Sequence, residues 1–326
     1  MVLEEIATPI VLAPLAGGPS TPELTAAVCE AGGLGFLAFG YLPPDDAAAR
    51  LAAVRSLTAR PFGVNLFVPG EPSQLDVSSY VARLGPGAGE PRWDDDEWEQ
   101  KLALLRAEPP AVVSFTFGCP SSAVLASLPC ETWVTVTRPA EALQAVEAGA
   151  DAVVVQGAEA GGHRGSFADD DDAPLPLLEL LRATAGLPVP RIAAGGIATA
   201  EDTAAALEAG AAAVQAGTAF LLCPQAGTAE VVRRAVASDR PTALTRAFTG
   251  RLARGIVNRF MEEHSAVAPS AYPELHHATA PLRAEGRAAG DESVVNLWAG
   301  ERHALARAVP AAEVVRALSH TAPPRA

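Results

Sequence analysis

Residues 147–156 read Glu-Ala-Gly-Ala-Asp-Ala-Val-Val-Val-Gln, a helix end running straight into an apolar strand. Gly149 is the natural left-handed stop for the helix that precedes it. Asp151 to Val155 is short, continuous and rich in β-branched residues, the composition of a parallel strand buried on both faces. The same Glu-Ala-Gly signal closes a helical pattern at Glu30 and at Glu208, again just ahead of an apolar run. The three copies are separated by 117 and 61 residues, close to four and two units of about 30 residues, the size of a strand-plus-helix unit.

Working outward from these junctions gives eight strands: Ile10 to Ala13, Leu34 to Phe39, Gly63 to Phe67, Val112 to Phe117, Trp133 to Thr137, Ala152 to Gln156, Arg191 to Ala194 and Ala213 to Ala216. Helical patterns separate them at Pro22 to Ala31, Pro43 to Leu57, Glu97 to Ala107, Pro139 to Ala148, Leu175 to Ala185 and Ala200 to Ala209, with a last one at Thr228 to Ala237. Several open on proline or on an N-cap Thr or Asp. Eight parallel strands alternating with helices predict an α/β fold, a (β/α)8 TIM barrel, over residues 1–240. A doubly wound open sheet is the alternative; the count of eight and the lack of an early G-x-G-x-x-G weigh against it. Pro69 to Asp96 is too long and too rich in Pro, Gly, Ser and Asp for a minimal connection, which predicts an insertion near the active-site mouth. Residues 241–326 hold Phe248, Phe260, Tyr272, Leu297 and Trp298. They are expected to form an ordered accessory segment capping the barrel, with only His320 to Ala326 frayed.

Composition excludes several classes. Net charge is −14, Lys101 is the only lysine, and the arginines are scattered, so a phosphate backbone would meet no basic face and a nucleic-acid partner is disfavoured. No run of 18 apolar residues and no leader pattern occurs, which disfavours membrane spanning and secretion. Cys29, Cys119, Cys130 and Cys223 lack any C-x-x-C or zinc spacing and read as reduced thiols in a cytoplasmic setting. The acidic run Asp169 to Asp172 reads as a solvated loop. Adjacent His276 and His277 have no carboxylate or cysteine at a spacing suited to a metal.

The candidate chemistry gathers at the strand ends. After the sixth strand comes Gln156-Gly157-Ala158-Glu159-Ala160-Gly161-Gly162-His163-Arg164-Gly165. Its glycines permit close backbone approach to a ligand, and His163 can exchange a proton near neutral pH. A solvated histidine in a flexible loop is the alternative. Gly195-Gly196-Ile197 after the seventh strand, and Gln215-Ala216-Gly217-Thr218 after the eighth, occupy the places where barrels bind phosphate. Asn65, in the middle of an apolar strand, needs a hydrogen-bond partner, either a neighbouring backbone group or the polar edge of a bound heterocycle. Gln156 poses the same question. A phosphate cradle, two inward amides and one histidine suit FMN.

These motifs resemble the nitronate monooxygenase family, formerly called 2-nitropropane dioxygenases, and its class I members in particular. The likeness is carried by residues 13–18, 63–67, 114–120, 156–167, 193–197 and 215–218, and it continues through Thr249 to Gly255, Ala271 to His277 and Asn296 to Gly300. It covers about residues 8–303. The resemblance implies FMN contacts at Asn65, Gln156, Gly161, Gly196, Gln215, Ala216, Gly217 and Thr218, with His163 as the catalytic residue. It further implies oxidation of alkyl nitronates, such as propionate 3-nitronate, by O2 to carbonyl compounds and nitrite, a detoxifying monooxygenase reaction. His163 would act as a base toward neutral nitroalkanes or as an electrostatic stabiliser of a pre-formed nitronate. Leu15 and Ala216 depart from the residues common at their positions; both swaps are apolar. Arg164 could attract the anion or serve structure, and Tyr272 and Trp298 could wall the pocket or simply pack. A homodimer is compatible with this reading. The alternatives are an FMN-dependent NAD(P)H reductase of the enoyl-acyl-carrier-protein or quinone reductase type, and a non-catalytic flavin-binding module.

Overall fold

In the computed structural model, which describes residues 1–170 and 173–319, the eight strands are β1 Ile10–Leu12, β2 Gly35–Ala38, β3 Phe62–Phe67, β4 Val112–Thr116, β5 Glu131–Val136, β6 Ala152–Gln156, β7 Arg191–Ala194 and β8 Ala213–Ala216. Each is parallel to the next, and β8 returns to pair with β1. Closure between β1 and β2 runs through Leu34, which donates to Ile10 O and accepts from Leu12 N, both at 2.9 Å. The chain is a (β/α)8 barrel, and the open-sheet alternative is excluded.

Strand alternation divides the lumen into two zones. Successive side chains point to opposite faces, so Val11, Phe36, Val112, Trp133, Ala152, Val154, Ile192 and Ala213 share one apolar cluster, sealed by Val2, Leu3 and Ile6 of the N-terminal segment. Gly63 is small because Phe36 fills this zone: a Cβ there would lie 2.3 Å from the Phe36 ring. Further along the same inward rows stand Asn65, Thr116, Thr135, Gln156 and Gln215, which line a cavity. The packed end supplies stability and the polar end supplies the site.

The ring of helices closes differently from expectation. The helix Glu230–Val236, expected as the eighth barrel helix, packs instead with Ile256, Val295, Leu297 and Ala299. Its place is taken by Ala311–Ser319, whose Ala311, Val314, Val315 and Leu318 join the core between strands and helices. The i, i+3, i+4, i+7 spacing of those residues is the apolar stripe of a docked helix. The expected accessory segment therefore returns to the barrel at its end. Residues 320–326, expected to fray, lie outside the described residues.

Within the insertion, Ser78–Leu84 is a helix. Buried Tyr80 packs with Ala271, Leu275 and Ala278 and donates to Ala247 O at 2.6 Å. Gly89 N donates to Ala278 O at 2.8 Å, so the insertion rests on the helix Glu274–Ala289. The acidic run is anchored rather than solvated at its described residues. Asp169 is largely buried, 3.0 Å from Arg246 Nε, and accepts from Leu252 N and Ser270 Oγ. Asp170 pairs with Arg138; Asp171 and Asp172 lie outside the described residues. These acids are anchors because burying a carboxylate requires a charged or N–H partner. All four cysteines are free thiols, and no helix among the described residues is long and apolar enough to cross a membrane.

Candidate active site

The cavity at the polar end of the lumen has a volume of about 440 Å³ and brings together every predicted site residue: Asn65, Gln156, Gly161, His163, Gly196, Gln215, Ala216, Gly217 and Thr218. At one end the chain presents N–H groups. Gly195 and Gly196 hold φ of +103° and +71°, in the left-handed region that suits glycine. The amides of Gly196, Gly217 and Thr218 have no partner among the described residues. Gly300 N donates to Thr218 Oγ1 at 3.0 Å, which leaves the hydroxyl proton for an incoming acceptor. By contrast, the amides of Ala198 and Thr199 are taken by Asp202 Oδ2 in a capping box. The helix N-terminus after β7 thus caps itself, and the glycine amides ahead of it are the free anion donors.

The amides divide in function. Asn65 spends Nδ2 on Ser114 Oγ at 2.9 Å and Thr116 Oγ1 at 3.0 Å. Nδ2 also lies 3.2 Å from Ser114 O, the neighbouring backbone group that is one of the two expected partners, while Oδ1 has no partner among the described residues and Asn65 lines the cavity. Gln215 makes no side-chain hydrogen bond among the described residues, and it lines the cavity. Gln156 is different: Nε2 donates to His163 O at 3.1 Å, and Oε1 accepts from Gly165 N at 2.8 Å. It clamps the histidine loop. Gly161 is small for a related reason, since a Cβ there would meet Gly300 N at 2.3 Å.

His163 is fixed by the C-terminal segment. Gly162–His163 forms a short strand antiparallel to Ala253–Ile256, which pairs in turn with Thr242–Thr245. Nε2 lies 2.9 Å from Thr249 Oγ1, and that hydroxyl can donate to Arg251 O at 3.3 Å. With its proton on the carbonyl, the hydroxyl accepts from Nε2–H, and Nδ1 becomes the lone-pair nitrogen. Nδ1 has no partner among the described residues. Phe117, Tyr272 and Trp298 stand edge-on around the ring at centroid distances of 5.6, 5.9 and 5.4 Å. Burial, reinforced by the Arg251 and Arg283 guanidinium groups, pushes the imidazole down to about 3, because a cation there would be unsolvated and repelled.

Neighbouring residues sort as follows. Trp298 lines the cavity, and Tyr272 supports His163 from behind while its hydroxyl meets Tyr41 Oη at 3.1 Å. Tyr41 and Phe117 hold φ of +67° and +79°, a costly backbone state for bulky residues. Arg164 is buried away from the cavity, its Nη2 3.4 Å from Thr137 O; of its two expected roles the structure shows the structural one. Arg251 stacks on Phe117 at 4.2 Å. His277 Nε2 lies 2.7 Å from Asp94 of the insertion, and His276 stacks on Tyr41 at 4.1 Å. Thr249, Tyr41, His276 and Arg283 carry no sequence signal for the site beyond the tail motifs.

Comparison with known proteins places this geometry. A family model described as nitronate monooxygenase matches residues 1–321. A nitronate monooxygenase of Paraburkholderia phytofirmans is 41% identical, over 95% of this chain and 91% of that protein. The solved structure of a nitroalkane oxidase from Streptomyces ansochromogenes superposes with a TM-score of 0.95 at 45% identity, covering 98% of this chain and 96% of that one. FabK from Thermotoga maritima is more distant, with a TM-score of 0.77 at 26% identity over 97% and 93% of the two chains.

Proposed function

The chain belongs to the nitronate monooxygenase family, and from that premise we propose that it oxidises alkyl nitronates with O2 on bound FMN, yielding a carbonyl compound and nitrite. The observation that carries the reading is His163, held by Thr249 through Nε2 and with no partner for Nδ1 among the described residues, set in the same cavity as the backbone amides of Gly196, Gly217 and Thr218. Residues suited to FMN are Gly196, Gly217 and Thr218 for the phosphate, and Asn65 and Gln215 for the polar edge of the ring, with Ala216 and Gly161 lining the walls. When bound, the flavin would supply the electron transfer to oxygen, and the protein supplies placement.

What the chain itself does follows from its residues. A neutral imidazole held by Thr249 can take the α-proton of a nitroalkane on Nδ1, a contribution of about 10²- to 10⁴-fold. Toward a pre-formed nitronate there is no proton to remove, and a neutral His163 with its lone pair on Nδ1 has no N–H to offer the anion, so its loss should matter far less there. Phe117, Tyr272 and Trp298 surround the ring edge-on, and their apolar faces lower the local dielectric, which strengthens the electrostatics there. The test is nitrite release and oxygen uptake by wild type and His163→Asn, with neutral nitroalkanes beside their nitronates and NAD(P)H controls. A much larger loss on the neutral forms supports the base role; equal losses overturn it. Rapid anaerobic bleaching of the flavin by NADH or NADPH would favour a reductase instead.

A further inference from the structure

Among the described residues, only four other than glycine hold a positive φ: Tyr41 at +67°, Phe117 at +79°, Asp96 at +53° and Glu97 at +55°. Such conformations cost energy and persist only where the surroundings impose them. All four belong to one set of contacts that ends at His163. Phe117 stands edge-on to that imidazole and packs against Phe67 at 4.5 Å, and Phe67 meets the ring of Tyr41 at 5.2 Å. On the other side, the Tyr41 hydroxyl lies 3.1 Å from that of Tyr272, whose ring stands edge-on to His163. Tyr41, Phe67, Phe117, His163 and Tyr272 form a closed ring of side chains, and Tyr41 joins its two arms.

Phe117 is steadied by Arg251, stacked on its ring. Tyr41 has a different anchor. Its backbone N–H donates to Asp96 Oδ1 at 2.9 Å, across 55 residues of chain. The same oxygen lies 2.8 Å from the ammonium of Lys101, the only lysine in the chain. Lys101 stands on the helix Trp98–Ala107 and is 1% exposed, a placement that is expensive for an ammonium unless it is paired. Burial pushes the Asp96 carboxyl up to about 6, against the pull of Lys101 and of the Tyr41 N–H. The turn that presents Asp96 is built from its neighbours: Asp94 Oδ1 accepts from Asp96 N at 3.2 Å, and Asp95 Oδ1 from Glu97 N at 3.1 Å. Neither Asp96 nor Lys101 lines the cavity, so any effect on the reaction must pass through Tyr41.

We propose that Asp96, paired with Lys101, is a positioning residue for the reaction: it pins the strained backbone of Tyr41 and, through Tyr41 and Tyr272, holds the His163 imidazole where it takes a proton. The proposal rests on the base reading of His163. It assigns a task to the end of the insertion, which supplies the acceptor, and to the helix after it, which supplies the balancing charge. A pair that only fastened that helix to the barrel would leave the proton step alone.

The experiment measures kcat and KM of the holoenzyme for nitroethane and for ethyl nitronate, and takes the ratio of the two kcat values within each variant, which cancels any loss of folded protein. Asp96→Ala should lower the nitroethane-to-nitronate ratio by about 10- to 100-fold with KM little changed, as a misplaced catalytic group does. Asp96→Asn keeps an oxygen for the Tyr41 N–H and should restore most of that loss. Lys101→Met leaves a carboxylate without its cation and should lower the ratio; adding Asp96→Asn to it removes the charge and should bring the ratio back. Glycine takes a positive φ without strain, so Tyr41→Gly removes the ring and the need for its anchor together. In that background Asp96→Ala should change the ratio by less than about 2-fold, the non-additivity of residues acting through one contact. A full further loss on top of Tyr41→Gly overturns the proposal. So does a wild-type ratio in Asp96→Ala when His163→Asn lowers it, a result that leaves the base reading standing. A ratio unmoved in His163→Asn itself removes the base reading, and the positioning role with it.

Discussion

His163 Nε2 and Thr249 Oγ1 lie 2.9 Å apart, although 86 residues separate them in the chain. The hydroxyl has Arg251 O as its own acceptor, so it is built to receive the imidazole N–H and to turn Nδ1 toward the cavity. Thr249→Val, nearly isosteric, should let the ring adopt the other tautomer and lower kcat on neutral nitroalkanes by about 10- to 100-fold, within the range of general-base effects. Thr249→Ser should retain most of the activity. Steady-state oxygen uptake checks both, and a valine variant as active as wild type would mean that the loop alone orients the ring.

The strand-to-helix junctions were readable because they are local: a glycine stop and a short β-branched run decide them at Gly149 and Val153 without reference to the rest of the chain. So was Asn65, as a polar residue breaking an apolar strand. The clamp on His163 was not. Gly162–His163 is too short to carry strand periodicity, and its partner Ala253–Ile256 becomes visible only when the tail folds back. Gln156 was legible as an amide in need of partners, but the sequence does not show that His163 O and Gly165 N supply two of them. The reverse held for Asp169, which reads as solvated in sequence and is tied down by Arg246 in the fold.

Stability should respond to the neutral state of His163. The imidazole titrates near 6.5 in the unfolded chain and about 3 in the folded one, the depression coming from burial and then from Arg251 and Arg283. Between those values the unfolded state binds the extra proton, so this group makes stability fall as pH drops from 6.5 toward 3. Urea unfolding of wild type and His163→Gln at pH 7 and pH 5 checks the sign. The variant should lose less stability on acidification, and a larger loss than wild type would contradict a buried neutral histidine.

The last helix should behave as part of the barrel. Leu318, 2% exposed, packs in the main core with Val314 and Val315. Leu318→Ala should cost about 2–5 kcal/mol, the usual penalty for emptying a buried leucine site. Denaturant unfolding should show one transition shifted as a whole. A separate early transition of the C-terminal segment, with the barrel unaffected, would mark the helix as an appendage.

Gly161 joins the histidine loop to the tail. A methyl group there would lie 2.3 Å from Gly300 N and 2.4 Å from Ala299 C, backbone atoms that cannot swing aside. Gly300 is held by Thr218 through its N–H at 3.0 Å, so the strain passes directly to the hydroxyl assigned to phosphate. Gly161→Ala should therefore cost about 1–3 kcal/mol of stability, as overpacking does, and weaken flavin retention together with it. Gly162→Ala is the control. Its Cβ would meet nothing within 4 Å, and its φ of +76° imposes only backbone strain. It should lose stability with little effect on flavin affinity. Thermal unfolding and flavin release on dilution, measured for both variants, separate the two; equal flavin loss would show that loop conformation, not contact with Gly300, governs the phosphate end.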